Sequence, residues 1–195
     1  MASPSRPFEH TLVVGGTGML REASIGLAMR STRLTSVART RASLGRLNDA
    51  LPEGAVTHHC LRLDWTAPED FIEGIVRHVA SDPPELTVAW IHDGPLGLHL
   101  ADALDRTMAD RRHPGTRHTF LHLVGSATEN PETMADELLG GIPDLRSTVY
   151  RQVVLGAKGA GRARRWLTDA EISRGVLAAV DSGETRVTVG SVEGL

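Results

Sequence analysis

The sequence predicts an α/β domain: a doubly wound parallel sheet of six to seven strands with helices on both faces. Three observations lead there. Short, uninterrupted apolar runs alternate along the 195 residues with longer segments whose apolar positions recur at helical spacing. The apolar runs show little polar alternation, as expected of parallel strands covered on both faces. The first run ends in Gly15-Gly16-Thr17-Gly18, directly before a helical segment.

Thr11 to Val14 is the first strand, and Met19 to Arg30 the first helix, on the pattern Leu20, Ile25, Leu27, Ala28, Met29. Leu34 to Ala38 is the second strand, and Ala42 to Leu51 the second helix, closed by Pro52 and Gly54. Val56 to Leu63 is the third strand, with Cys60 expected to be buried in it. Pro68 to Ala80 places Phe71, Ile72, Ile75, Val76 and Val79 on one helical stripe. Leu86 to Ile91 is the fourth strand. Leu96 to Arg112 is a long helix stopped by His113-Pro114-Gly115, and Thr119 to Val124 is the fifth strand. A short helix spans Glu132 to Leu139, and Ser147 to Leu155 is the sixth strand. Thr168 and Glu171 form a capping-box signature for a last helix ending at Asp181, and Arg186 to Val189 is a seventh strand. Right-handed crossovers order such strands 3-2-1-4-5-6-7, the Rossmann-type arrangement. Residues 1–10 are expected to be a flexible N-terminal segment, and 11–195 a single dinucleotide-binding domain.

Composition narrows the partners. A net charge of -3 gives no basic excess of the kind nucleic-acid binding needs. No apolar run is long enough to span a bilayer, and Met1 to His10 lack the apolar core of a signal peptide. One cysteine allows neither an internal disulfide nor a Cys-based metal site, so a cytoplasmic protein without a metal is expected. Lys158 is the only lysine among 21 basic side chains, so arginine clusters carry less functional weight here than elsewhere.

In a doubly wound sheet the turn after the first strand faces the crevice at the switch point. A phosphate there meets the N–H groups and positive end of the first helix, and glycines let the backbone approach it closely. Gly15, Gly16 and Gly18 stand at that place. The residue after the second strand normally meets the adenosine ribose, and an acid there favours NAD. Here the strand ends Val37-Ala38-Arg39, with Thr40 behind it and no acid. Arg39 suits a 2′-phosphate, because a guanidinium forks onto phosphate oxygens. NADP(H) is therefore the preferred cofactor and NAD(H) the alternative. Asp64 and the adjoining Trp65, after the third strand, belong to the same expected surface, though an Asp before Thr66 also suits a turn.

These residues resemble the short-chain dehydrogenase/reductase superfamily. The matching pieces are Val13-Val14-Gly15-Gly16-Thr17-Gly18-Met19-Leu20, Val37-Ala38-Arg39, Leu63-Asp64 and Leu121-His122-Leu123-Val124-Gly125-Ser126. The resemblance implies that Gly15, Gly16 and Gly18 carry the pyrophosphate, Arg39 the 2′-phosphate and Asp64 the adenine. It also implies copies pairing as a homodimer or homotetramer, and an unidentified small-molecule substrate. The family's third small loop residue falls at Arg21, and its motif after the fourth strand is replaced by Ile91-His92-Asp93-Gly94, where Gly94 still lets the chain pass close to the ribose.

The larger departure concerns proton transfer. The family pairs a Tyr and a Lys one helical turn apart, the Lys lowering the Tyr pKa. Ser126 stands where the family's catalytic Ser does, but no such pair follows it. The only tyrosine, Tyr150, is eight residues before Lys158 and inside the sixth strand. Ser126, Tyr150 and a histidine such as His92, His99 or His122 remain the candidate proton donors. The run Arg162, Arg164, Arg165 and Trp166 covers a nicotinamide, binds an acidic substrate or is a solvated loop. Three functions follow from one loop: an atypical NADP(H)-dependent oxidoreductase, a non-catalytic NADP(H)-binding sensor or scaffold, and a Rossmann domain for another adenosine-containing cofactor.

Overall fold

The computed structural model describes residues 7–109, 117–125, 130–159 and 163–193. In chain order its first half holds β1 (Phe8–Val14), α1 (Arg21–Ala28), β2 (Ser31–Ala38), α2 (Arg41–Asn48), β3 (Thr57–Arg62), α3 (Pro68–Val79) and β4 (Leu86–Trp90). There follow α4 (Gly94–Ala109), β5 (His118–Val124), α5 (Pro131–Gly140), β6 (Thr148–Leu155), β7 (Ala157–Lys158), β8 (Arg165–Trp166), α6 (Asp169–Ser182) and β9 (Arg186–Val189). Seven strands form one parallel sheet in the order β3-β2-β1-β4-β5-β6-β9. This is the expected doubly wound order, with β9 in the seventh place. The strands β7 and β8, unforeseen in the sequence, pair as a separate antiparallel ribbon.

Period-two alternation in the central strands feeds two cores. Phe120, Val124, Tyr150 and Val154 face one side, against Leu96, Leu100 and Leu104 of α4 and Ala135 and Leu138 of α5, with Phe71, Ile75 and Val79 of α3. Leu121, Leu123 and Val153 face the other, against Leu20, Ala23 and Leu27 and against Ile172, Val176 and Ala179 of α6. On that second face α1 and α6 touch directly: a Cβ on Gly26 would lie 2.8 Å from Leu177. The Thr168–Glu171 capping box forms as expected, and α6 ends at Gly183 with φ 72°.

Two expectations need correction. First, β1 begins at Phe8, so residues 8–10 belong to the first strand; residues 1–6 lie outside the described residues. The Phe8 N–H donates to Arg30 O, and the buried His10 ring lies between Asp82 O at 2.7 Å and Thr35 Oγ1 at 2.9 Å. Second, Cys60 is exposed, because β3 is an edge strand that the helices cover thinly. Its thiol pKa is nonetheless raised by partial desolvation.

Buried polar groups are paired across strands. His118 lies between Thr87 Oγ1 at 2.8 Å and Thr148 Oγ1 at 3.0 Å. The Asp105 carboxylate accepts the N–H groups of Arg146 and Ser147, fixing the entry to β6. Those bonds outweigh its burial and hold its pKa below the ordinary value. Among the described residues no helix is long and apolar enough to cross a membrane.

Candidate functional site

The glycine turn follows β1 because Val14 is the last residue that bonds as a strand, and the Gly15 N–H then donates to Val37 O at 3.0 Å. That bond sets the turn beside the end of β2, where Arg39 emerges. The glycines have different reasons. Gly15 has φ 74°, and a Cβ there would sit 2.5 Å from Trp90 O. A Cβ on Gly16 would collide with Ser24 and Val13. Both are demanded by the protein's own packing. Around Gly18 nothing lies within 4 Å of a Cβ position, and the residue is exposed just ahead of α1. The Gly18 site thus keeps an open approach to the helix N-terminus, which fits a phosphate.

The neighbours divide similarly. Thr17 is half-buried, and Leu20 is fully buried in the second core, so Leu20 can face a ligand only through its backbone. Met19 borders a cleft, and its carbonyl accepts the Ser173 hydroxyl at 3.1 Å. Arg21 donates to Arg46 O at 3.3 Å, so its side chain leans on α2. Arg39 is exposed. Thr40 caps α2, accepting from the Ser43 N–H. Asp64 Oδ1 accepts the N–H and hydroxyl of Thr66 at 3.0 and 2.9 Å, so the turn role is realised. These bonds, and then the positive charge of Arg39, hold its carboxyl below the ordinary range. Arg39 and Asp64 are therefore electrostatic neighbours at the adjoining ends of β2 and β3.

The carboxyl ends of β1, β4, β5 and β6 open onto a cleft of about 560 Å³. Met19, Trp90, Leu155, Met134 and Ile172 give it apolar walls, while His92 and Asp169 are its ionisable side chains among the described residues. The His92 ring stands 4.9 Å from Trp90 in a T-shaped contact and 6.0 Å from Trp65. Asp93 is a helix cap, accepting the Leu96 N–H at 2.9 Å. A second cavity, about 630 Å³, lies between α4 and α5. Gly94 borders that cavity, and a Cβ on it would lie 3.0 Å from Leu138, so its glycine has a packing reason there.

Sequence reasoning placed the proton donors less well. Ser126 lies outside the described residues, immediately after Gly125, which borders the cleft. Tyr150 is buried in β6, five residues before the strand's carboxyl end, which puts it about 15 Å along the strand from that end. Its ring stacks on Phe120 and its hydroxyl lies 2.7 Å from His122 Nδ1, so it does not reach the cleft. His122 is equally buried. Lys158 is committed to Glu171 at 2.8 Å, and Arg165 grips the same carboxylate with two nitrogens at 2.8 and 2.9 Å. Arg165 is thus held in place by Glu171, which it shares with Lys158; Arg162 lies outside the described residues. What the sequence missed is that this clamp fixes β8, and that β8 carries Trp166 to the cleft. The capping-box Glu171 was legible, but its bonds to Arg165 and Lys158, 6 and 13 residues earlier, were not.

No protein-family model and no curated protein matches the sequence. Solved structures do match. A bulky-bulky ketone specific alcohol dehydrogenase from Comamonas testosteroni aligns over 92% of this chain and 85% of its own, at 15% identity and a TM-score of 0.66. A Serratia marcescens short-chain dehydrogenase/reductase aligns over 96% of this chain and 98% of its own, at 14% identity and a TM-score of 0.67. A metagenomic short-chain oxidoreductase in complex with NADP aligns over 93% and 96%, at 15% identity and a TM-score of 0.62. The fold is therefore the Rossmann fold of short-chain dehydrogenases/reductases.

Proposed function

We propose that this chain binds NADP(H) and acts as an oxidoreductase that dispenses with the tyrosine–lysine pair. The observation that carries the reading is the open approach over Gly18 at the N-terminus of α1, beside a β2 that ends in an exposed Arg39 and not in an acid. Gly18 and the free N–H groups of the first turn of α1 hold the pyrophosphate. The exposed Arg39 takes the 2′-phosphate. The nicotinamide, when bound, supplies hydride chemistry. Met19, Trp90, Leu155 and Ile172 give the cleft apolar walls, His92 is positioned to hydrogen-bond a substrate oxygen beside Asp169, and Ser126, outside the described residues, is the further candidate.

The test is a titration of the full chain with NADPH and with NADH, followed by the fluorescence of its three Trp residues. NADPH binding at least about tenfold tighter than NADH is expected, a difference of about 1.4 kcal/mol. Binding of neither nucleotide overturns the cofactor assignment. One observation favours a second reading, a non-catalytic NADP(H) sensor: among the described residues, Tyr150 is buried away from the cleft and Lys158 is committed to Glu171. Bound NADPH that persists across a panel of ketones, aldehydes and quinones supports that reading.

A further inference from the structure

The cleft carries a second kind of information, in how Trp166 is held. Its indole is 51% exposed, a costly disposition for so large an apolar ring. Yet the short strand bearing it is tightly fixed. Glu171 accepts from Lys158 Nζ, from both terminal nitrogens of Arg165 and from the Thr168 N–H, and its side chain is only 13% exposed. These partners flank Trp166 on both sides and on the paired strand. Trp166 is thus carried on a fixed strand to a cleft that Trp90 and His92 also line, those two rings in T-shaped contact.

Resting on the oxidoreductase reading above, we propose that this cleft takes a flat, conjugated dicarbonyl ring of the quinone class, seated against Trp166 and Trp90 with a carbonyl toward His92. Stacking between polarisable faces needs few polar partners, and the lining supplies few: His92 and Asp169 are its ionisable side chains among the described residues. Proton economy points the same way. Hydride addition to a simple ketone leaves a localised alkoxide, which demands an acid at the carbonyl oxygen. Hydride transfer to a quinone gives the hydroquinone monoanion, whose charge spreads over the ring, and the one proton that completes the hydroquinone comes from water, which leaves as hydroxide. The two electrons arrive as that hydride from the reduced nicotinamide dinucleotide. A site without the tyrosine–lysine pair suits the second acceptor.

The probe is duroquinone, whose four methyl groups leave no open ring position for the exposed Cys60 thiol to attack. Cyclohexane-1,4-dione, with the same two carbonyls on a puckered saturated ring, is the control. Calorimetric titrations use the full chain without nucleotide and with saturating NADP+. Duroquinone is expected to bind at least tenfold tighter than the dione, with and without NADP+. Trp166→Ala is expected to weaken it at least tenfold while leaving the thermal melt in place, since the ring is half exposed. Equal affinities for the two rings, affinity unchanged in Trp166→Ala, displacement by NADP+, or no binding under either condition would each overturn the proposal. The nucleotide-free arm keeps this separate from the cofactor assignment, which the NADPH titration decides alone.

Discussion

The Tyr150 hydroxyl lies 2.7 Å from His122 Nδ1, and both rings are enclosed between the sheet and the helices covering it. His122 Nε2 has no partner among the described residues and faces Gly97, where a Cβ would strike the ring. The contact between His122 Nδ1 and the Tyr150 hydroxyl is the hydrogen bond of this pair, with the tautomer setting its donor. Burial pushes the His122 pKa down to about 4 and the Tyr150 pKa up to about 12. Both groups therefore stay neutral at working pH, and their role is to hold β5 against β6.

Tyr150→Phe removes a buried partner without touching the cleft. It is expected to lower stability by about 1–3 kcal/mol in urea unfolding. NADPH affinity in the folded variant stays the same. A folded variant that no longer binds NADPH would return Tyr150 to the site.

Acid should weaken the fold before it protonates most carboxylates. Burial holds His118 down to about 3 and His122 to about 4. Unfolded, each takes a proton near pH 6.5. Between those values the unfolded chain binds protons that the native chain refuses, so it is favoured as pH falls. The full stability contribution is present above about pH 6.5. It declines toward pH 4 by up to about 1.4 kcal/mol per pH unit for each histidine. His118→Gln, which cannot titrate, is expected to shallow that slope in unfolding curves taken from pH 7.5 to 4.5.

Gly15 and Gly18 should separate folding from binding. Gly15→Ala places a side chain at φ 74° against Trp90 O, and a loss of about 1–3 kcal/mol is expected. Gly18→Ala meets nothing within 4 Å, so its melt should hold or rise slightly. Its NADPH affinity should nonetheless fall at least about tenfold, a loss of about 1.4 kcal/mol. Unchanged affinity in Gly18→Ala would remove the phosphate from this turn.

Arg39→Asp should weaken NADPH far more than NADH, because the lost guanidinium meets only the 2′-phosphate and the new carboxylate repels it. The ratio of the two dissociation constants is the readout. Equal losses for both nucleotides would take Arg39 out of that contact.

Much of the sheet was legible because parallel strands leave short apolar runs bounded by turn residues, Leu86–Trp90 and Thr11–Val14 above all. The glycine turn and the exposed Arg39 were legible because topology puts them at one end of the sheet. The N-terminal half of β1 was not, because Phe8-Glu9-His10 mixes apolar and charged residues, and their order comes from partners about 20 to 75 residues away. Cys60 was misread because an apolar-looking run does not say whether its strand is central or at an edge. The ribbon of β7 and β8 has two residues per strand, too short for any period, and its clamp on Glu171 is visible only in space. Tyr150 drew attention for its chemistry, while its strand position argued for packing.

The bond from Ser173 to the Met19 carbonyl has a consequence in time. Its two residues are 154 positions apart, so at roughly 5–20 residues per second a ribosome makes the second about 8–30 s after the first. Throughout that interval the glycine turn exists without its tie to α6, and the apolar face of α1 has no helix beside it. The earliest part of the chain thus waits on nearly the latest, and a nascent chain stalled before residue 169 should be cut by protease near the turn while the released protein resists.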